Sequence, residues 1–283
     1  MTRDELYGQI RAKRSFLCVG LDTDLKKIPA HLRGGPTPLF DFNRAIIDAT
    51  APYAVAFKPN LAFYEAHGAD GVAQFEATCR YIRERYPEIL IIADAKRGDI
   101  GNTSEMYARA FFDAPSPQAP STRGIALADA VTLSPYMGRD TVEPFLRHDG
   151  RWAVILALTS NPGADDFETL RLFDGRPLWK HVLETAAGWG TPDNTMFVVG
   201  ATRAEMLAEV REVVPGHFLL VPGVGAQGGS LSEVARHGMN SRCGLLVNSS
   251  RAIIYASSAE DFASAAAAEA KKTAAEMSTL LPF

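Results

Sequence analysis

Residues 91–103 read Ile-Ile-Ala-Asp-Ala-Lys-Arg-Gly-Asp-Ile-Gly-Asn-Thr, an apolar run that ends in two aspartates, Asp94 and Asp99, bracketing Lys96. Side chains alternate along a strand, so Asp94 and Lys96 share a face, while Asp99 follows where the strand should already have ended. Charges gathered at the end of a buried strand are costly unless they are paired or put to use. An ammonium held among carboxylates suits two tasks: delivering a proton and stabilising a developing anion. The segment is therefore the first candidate active site. Arg97 alternates away from Lys96 and reads equally as a surface ion-pair residue or a site residue.

The elements that must position these groups are short. Apolar, β-branched runs recur at 16–21, 54–58, 89–93, 130–133, 153–158, 196–199, 218–221 and 244–247. Most are nearly continuous, as strands buried on both faces are. Helical patterns lie between them at 41–50, 70–85, 103–112, 140–148, 178–188, 203–214 and 230–237. A helix over about 2–13 precedes them, and an Ala-rich helix over about 258–281, with Ser258, Glu260 and Asp261 at its start, closes the chain. Asn102 and Glu105 have the spacing of a capping box at the head of the helix after Asp99. The alternation predicts an α/β protein, a single (β/α)8 TIM barrel formed by residues 1–283 as one domain. A doubly wound open sheet is the alternative, and the lack of GxGxxG after the first strand weakens its dinucleotide-binding form. The three prolines of 113–124 predict a surface loop, and 163–177 an irregular lid or extra turn.

In such a barrel, functional groups sit at the carboxyl ends of the strands. Those ends supply Asp22; Lys58 with Pro59 and Asn60; Asp94 and Lys96, with Asp99 just beyond; Ser160-Asn161-Pro162-Gly163; the glycine-rich 222–229 with Gly225 and Gln227; and Asn248 to Arg251. Each has a plain reading taken alone. Asp22 is a turn residue, Lys58 snorkels to solvent, Asp94 with Lys96 is a structural ion pair, and Ser160 belongs to a turn. Chance would scatter the charges between both ends of the barrel; here they share one. Glycines after the seventh strand let backbone N–H groups approach an anion. Ser230 can start a helix aimed at the same point, and Arg251 supplies a planar, permanently charged fork. Together they predict a phosphate site, and closure of 223–229, with 163–177 a second candidate, on ligand binding.

Composition narrows the setting. With 283 residues, 47% hydrophobic, the chain has core enough to need no disulfide or metal staple. Cys18, Cys79 and Cys243 show no CxxC or Cys/His spacing and read as reduced core thiols. A net charge of −4 argues against non-specific nucleic-acid binding. No apolar run approaches the roughly 18 residues of a membrane span, and the charged beginning lacks the apolar stretch of a signal peptide. The expected location is cytoplasmic, without nucleic-acid or membrane partners.

The motif D-x-K-x-x-D-I-x-x-T formed by Asp94, Lys96, Asp99, Ile100 and Thr103 resembles that of the orotidine 5′-phosphate decarboxylases, in their longer, type 2 subgroup. Gly20-Leu21-Asp22, the Lys58 strand end, 160–163, the GVGAQGG loop and Arg251 extend the resemblance over most of the chain. It implies metal- and cofactor-free decarboxylation of orotidine 5′-phosphate to UMP, the last step of pyrimidine nucleotide synthesis. Lys96 would protonate C6 within a charge array of Lys58, Asp94, Lys96 and Asp99. Asp22 and Lys58 would contact ribose hydroxyls and Ser160 the pyrimidine edge. Gln227 and Arg251 would hold the phosphate, with Gly225 and Ile100 among the substrate contacts. The resemblance also implies a homodimer in which Asp99 and Thr103 reach the partner's site. The alternative is a Mg-dependent sugar-phosphate decarboxylase or aldolase on the same barrel plan. Those enzymes resemble this family but hold Mg2+ partly through a glutamate where this chain has Lys58, and an ammonium repels the ion. A nucleotide-binding protein without activity would have little reason to keep four buried charges together.

Overall fold

The computed structural model describes residues 1–113, 127–201, 204–224 and 229–283. Eight parallel strands close into a barrel in chain order, β8 returning to pair with β1. They are β1 (Leu17–Leu21), β2 (Ala54–Pro59), β3 (Leu90–Arg97), β4 (Ala130–Leu133), β5 (Trp152–Leu158), β6 (Thr195–Val199), β7 (Phe218–Pro222) and β8 (Leu245–Ser249). Each contains an apolar run expected from the sequence. Nearly every strand residue is buried, because barrel strands face a packed interior on one side and helices on the other.

The helices follow the expected alternation: α1 (Arg3–Lys13), α2 (Pro38–Thr50), α3 (Ala62–Glu65), α4 (Gly68–Arg85), α5 (Gly101–Phe112) and α6 (Arg139–Leu146). After them come α7 (Leu178–Ala187), α8 (Met206–Val213), α9 (Leu231–Gly238), α10 (Arg251–Ile254) and α11 (Phe262–Leu280). α1 opens with a capping box between Thr2 and Glu5, and Ser230 caps α9 by accepting the Glu233 N–H. The Ala-rich α11 buries Phe262, Ala266, Ala270, Ala274 and Met277, a stripe repeating every three or four residues that packs on α2 and β1. Its Phe262 stacks on Phe42 at 5.2 Å. This helix covers the seam where the first and last strands meet. It starts at Phe262 rather than 258, because Ser257 and Asp261 bond one another in a turn before it.

The capping-box expectation is corrected, and the extra turn expected after β5 is present. The Asn102–Glu105 capping box does not form; the cap position of α5 is Ile100, without a side-chain cap. The helix starts one residue before Asn102, at Gly101, whose φ of +54° makes the turn. The segment after β5 forms a 3-10 turn, Pro162–Asp166, and a bridge between Arg171 and Pro177. The expected loop 113–124 lies outside the described residues, apart from Asp113.

The end of the barrel away from the strand carboxyl termini is tied by Asp129, 1% exposed. Its carboxylate accepts from Arg83 at 2.6 Å and from the Ile91 N–H at 2.9 Å, just inside β3. The three cysteines are free and buried. Burial pushes the Cys18 and Cys243 thiols up to about 12, which leaves them inert. Among the described residues no helix is long and apolar enough to cross a membrane.

Candidate active site

The barrel brings the ends of β1, β2, β3, β7 and β8 around a polar cleft of about 260 Å³. Asp22, Lys58, Asn60, Asp94 and Lys96 line one side, and Gly223, Val224, Asn248 and Arg251 the other. Asp94 is the hinge of the charge set. Lys58 Nζ donates to its Oδ2 at 2.7 Å, and Lys96 Nζ donates to its Oδ1 at 2.6 Å. Asp22 Oδ1 lies 3.8 Å from Lys58 Nζ, too far for a hydrogen bond. That oxygen is buried and has no hydrogen-bond partner among the described residues.

Burial and charge oppose each other here. Burial would raise the Asp94 carboxyl, but Lys58 and Lys96 together hold it well below the usual carboxylate range. Burial would lower the Lys58 ammonium, yet the Asp94 and Asp22 carboxylates outweigh it and hold its pKa above the ordinary lysine value. The chain thus carries an alternating sequence, Asp22, Lys58, Asp94, Lys96. Lys58 and Asp94 are sealed in, and the Lys96 side chain is 51% exposed toward the cleft.

Lys96 owes its aim to its backbone. It sits at φ +46°, one of three non-glycine residues with positive φ among those described, a conformation that costs a side-chain-bearing residue roughly 1–2 kcal/mol. Pairing of β3 with β4 is irregular here: Ala93 pairs with Val131, and the next pair is Arg97 with Leu133. Arg97 turns outward. It pairs with Glu65, donates to the Ala95 carbonyl at 3.0 Å and lies over the Tyr107 ring. The surface ion-pair reading of Arg97 is the one observed.

Asp22, Lys58, Asp94, Lys96 and Arg251 are therefore assembled as expected, and among the described residues Arg251 has no ion-pair partner. The remaining candidates are placed differently. Asp99 forms no ion pair with either lysine; its carboxylate accepts the Ile100 N–H at 2.8 Å. Ile100 and Thr103 follow it on an exposed surface, Ile100 55% exposed. The four-member array expected from the sequence is thus completed within one chain by Asp22 rather than Asp99. Ser160 does not line the cleft. It sits against Gly200 beyond β6, where an added Cβ would lie 2.7 Å from the Ser160 Cβ and 2.9 Å from its backbone nitrogen. Gly225 and Gln227 lie outside the described residues. The flanks of their loop are close: Gly229 N–H donates to the Gly223 carbonyl at 3.2 Å, and Gly223 has φ +97°.

Sequence reasoning named Asn248 only as a strand-end residue without a role and missed Thr132. Asn248, 8% exposed, lines the cleft and donates to Ser250 Oγ at 3.2 Å. Thr132 lies behind Asp94 on β4. Both are uncharged residues inside strands, where polarity alone carries little signal. A larger hollow of about 540 Å³ lies beside the cleft between the ends of β4 and β5, lined mainly by apolar groups such as Tyr136, Leu156, Phe167 and Trp179. Its Glu168 carboxylate is already engaged by the N–H and hydroxyl of Thr159 at 2.7 and 2.8 Å. The charge-bearing cleft, not this hollow, is the candidate for chemistry.

The sequence model of the orotidine 5′-phosphate decarboxylase / HUMPS family matches residues 15–267. An orotidine 5′-phosphate decarboxylase of Porphyromonas gingivalis is 56% identical over 281 residues, 99% of this chain and 98% of the relative. The solved Leishmania donovani OMP decarboxylase superposes with a TM-score of 0.81 at 34% identity, covering 99% of both chains. The Leishmania donovani UMP synthase matches with a TM-score of 0.82 at 36% identity, and there this chain spans 56% of the longer protein.

Proposed function

The chain belongs to the orotidine 5′-phosphate decarboxylase / HUMPS family, and on that premise we propose how its cleft decarboxylates orotidine 5′-phosphate to UMP. The carrying observation is the Lys58–Asp94–Lys96 bridge, which presents one ammonium to the cleft and seals the other two charges behind it. Loss of CO2 breaks the C6–carboxylate bond and leaves its electron pair on C6, with no adjacent group to delocalise it. Lys96 stabilises that developing charge and donates an Nζ proton to C6, and solvent later restores the proton. Because Asp94 fixes the ammonium before substrate arrives, no reorganisation is needed at the moment of bond breaking.

The rest of the cleft supports the same reading. The unpartnered Asp22 Oδ1 accepts a ribose hydroxyl, the donor its burial calls for. Arg251, across the cleft, grips the 5′-phosphate. The Mg-dependent alternative is disfavoured by Lys58, whose ammonium occupies the carboxylate face where a cation would sit. The reading takes residues 1–283 as one domain, and three free, buried thiols suit a reducing, cytoplasmic setting.

A homodimer is part of the proposal. Ile100, Met106, Tyr136 and Met137 are exposed at 55%, 53%, 85% and 47%, and Asp99, which accepts the Ile100 N–H, forms no ion pair with its own lysines. A two-fold contact there buries this apolar group and carries Asp99 and Thr103 to the second cleft. The test is release of UMP from orotidine 5′-phosphate in EDTA. Turnover without added metal supports the reading; turnover only with Mg2+, or binding without turnover, refutes it.

A further inference from the structure

We propose that Thr132 is a positioning residue for the decarboxylation, holding both the backbone and the ammonium of Lys96 through one hydroxyl. This rests on the assignment of Lys96 as proton donor. Between the Ala93–Val131 and Arg97–Leu133 pairs, β3 takes four steps while β4 takes two. The extra residues bulge from the sheet, and a bulge leaves an amide without its ladder partner. Thr132 supplies that partner: the Lys96 N–H donates to its Oγ1 at 2.9 Å. The hydroxyl's single proton goes to Asp94 Oδ1, also at 2.9 Å.

The directions are fixed by chemistry, because the amide can only donate and the carboxylate oxygen accepts. Asp94 Oδ1 in turn accepts from Lys96 Nζ at 2.6 Å. The result is a closed ring running from the Lys96 amide through Thr132 and Asp94 to the Lys96 ammonium. Thr132 is 1% exposed, so water does not readily replace the hydroxyl. It does not line the cleft. It acts through Asp94 and Lys96, keeping a left-handed lysine aimed at the reacting carbon.

The test uses the full chain with Thr132→Val, which keeps shape and loses the hydroxyl, and Thr132→Ser, which keeps the hydroxyl. UMP formation is followed to separate kcat from KM, alongside thermal melts. Misplacing a catalytic group costs about 10- to 100-fold in rate, so kcat of Thr132→Val falls by that factor while KM stays within about three-fold, since substrate contacts are intact. Thr132→Ser returns kcat to within about three-fold of the parent. A purely structural role would lower the melting temperature of the valine variant and leave kcat per folded site unchanged; that result, or an equal loss in the serine variant, overturns the inference. Should Thr132→Val not fold, Thr132→Ala takes its place with the same expected split. A parent that forms no UMP, or a Lys96→Ala variant as fast as the parent, overturns the functional reading instead, and the inference with it.

Discussion

Replacing Asp94 by Asn removes the anion between two ammoniums while preserving shape, and its effect follows from the geometry. At an effective dielectric of 20, unit charges 2.7 Å apart, the Lys58–Asp94 separation, attract by about 6 kcal/mol. Much of that offsets the desolvation of two buried groups, and breaking such a pair from one side costs about 3–5 kcal/mol because the other charge is stranded. Lys58, 5% exposed, would be left with only Asp22 at 3.8 Å. At roughly 2–4 °C per kcal/mol for a chain of this size, Asp94→Asn should lower the melting temperature by about 6–20 °C. Its UMP-forming rate should fall about 100-fold or more, because Lys96 loses its anchor. The decisive arm is the double variant Lys58→Met/Asp94→Asn. With both buried charges gone, it should regain at least half of the lost melting temperature while remaining slow. A calorimetric and kinetic comparison of parent, two singles and double gives the coupling directly. The reasoning fails if Asp94→Asn melts within about 2 °C of the parent, or if the double variant is no more stable than Asp94→Asn.

Three further outcomes are expected. Arg251→Ala should lower kcat/KM about 10- to 100-fold by removing charge-assisted bonds to the phosphate; an unchanged kcat/KM would show that phosphate is held elsewhere. His217, 6% exposed with both ring nitrogens unpartnered among the described residues, is pushed down to about 4 by burial, then by Arg211 and Arg3, with Asp193 opposing. A base buried neutral in this way contributes stability that is present above the free-imidazole value of about 6.5 and lost as pH falls toward 4. His217→Phe should flatten that limb of the melting profile, and a limb unchanged in the variant refutes the assignment. If Asp99 serves the partner's cleft, mixing inactive Lys96→Ala and Asp99→Ala chains should restore about a quarter of parental activity, one good site in each mixed dimer; no recovery in mixtures shown to exchange subunits counts against it.

The barrel was legible because its strands are buried on both faces, and that demand writes a continuous apolar run into each. β4 matches its expected span residue for residue, and the others differ by a few positions at their ends. The charges were legible because Lys58, Asp94 and Lys96 interrupt those runs at one end only. Pairing of Asp22 with Lys58 was not expected, because it depends on the spacing of two strands rather than on either alone. The Asn102–Glu105 capping box was a plausible local signal defeated by a turn one residue earlier, at Gly101. Thr132 gave no signal at all. Threonine is at home in any strand, and only the bulge opposite makes its hydroxyl matter.

That bulge also decides which cation the substrate meets. Lys96 and Arg97 are neighbours, and a one-residue slip in a strand exchanges the faces of adjacent side chains. Deleting Ala95 alone from the bulge between Ala93 and Arg97 would put Lys96 in an outward-facing position and Arg97 in the place Lys96 now holds. A guanidinium there would still draw an anionic ligand inward, but it holds its protons too tightly to surrender one. The same fold, one residue shorter, would become a receptor for the molecule it now transforms.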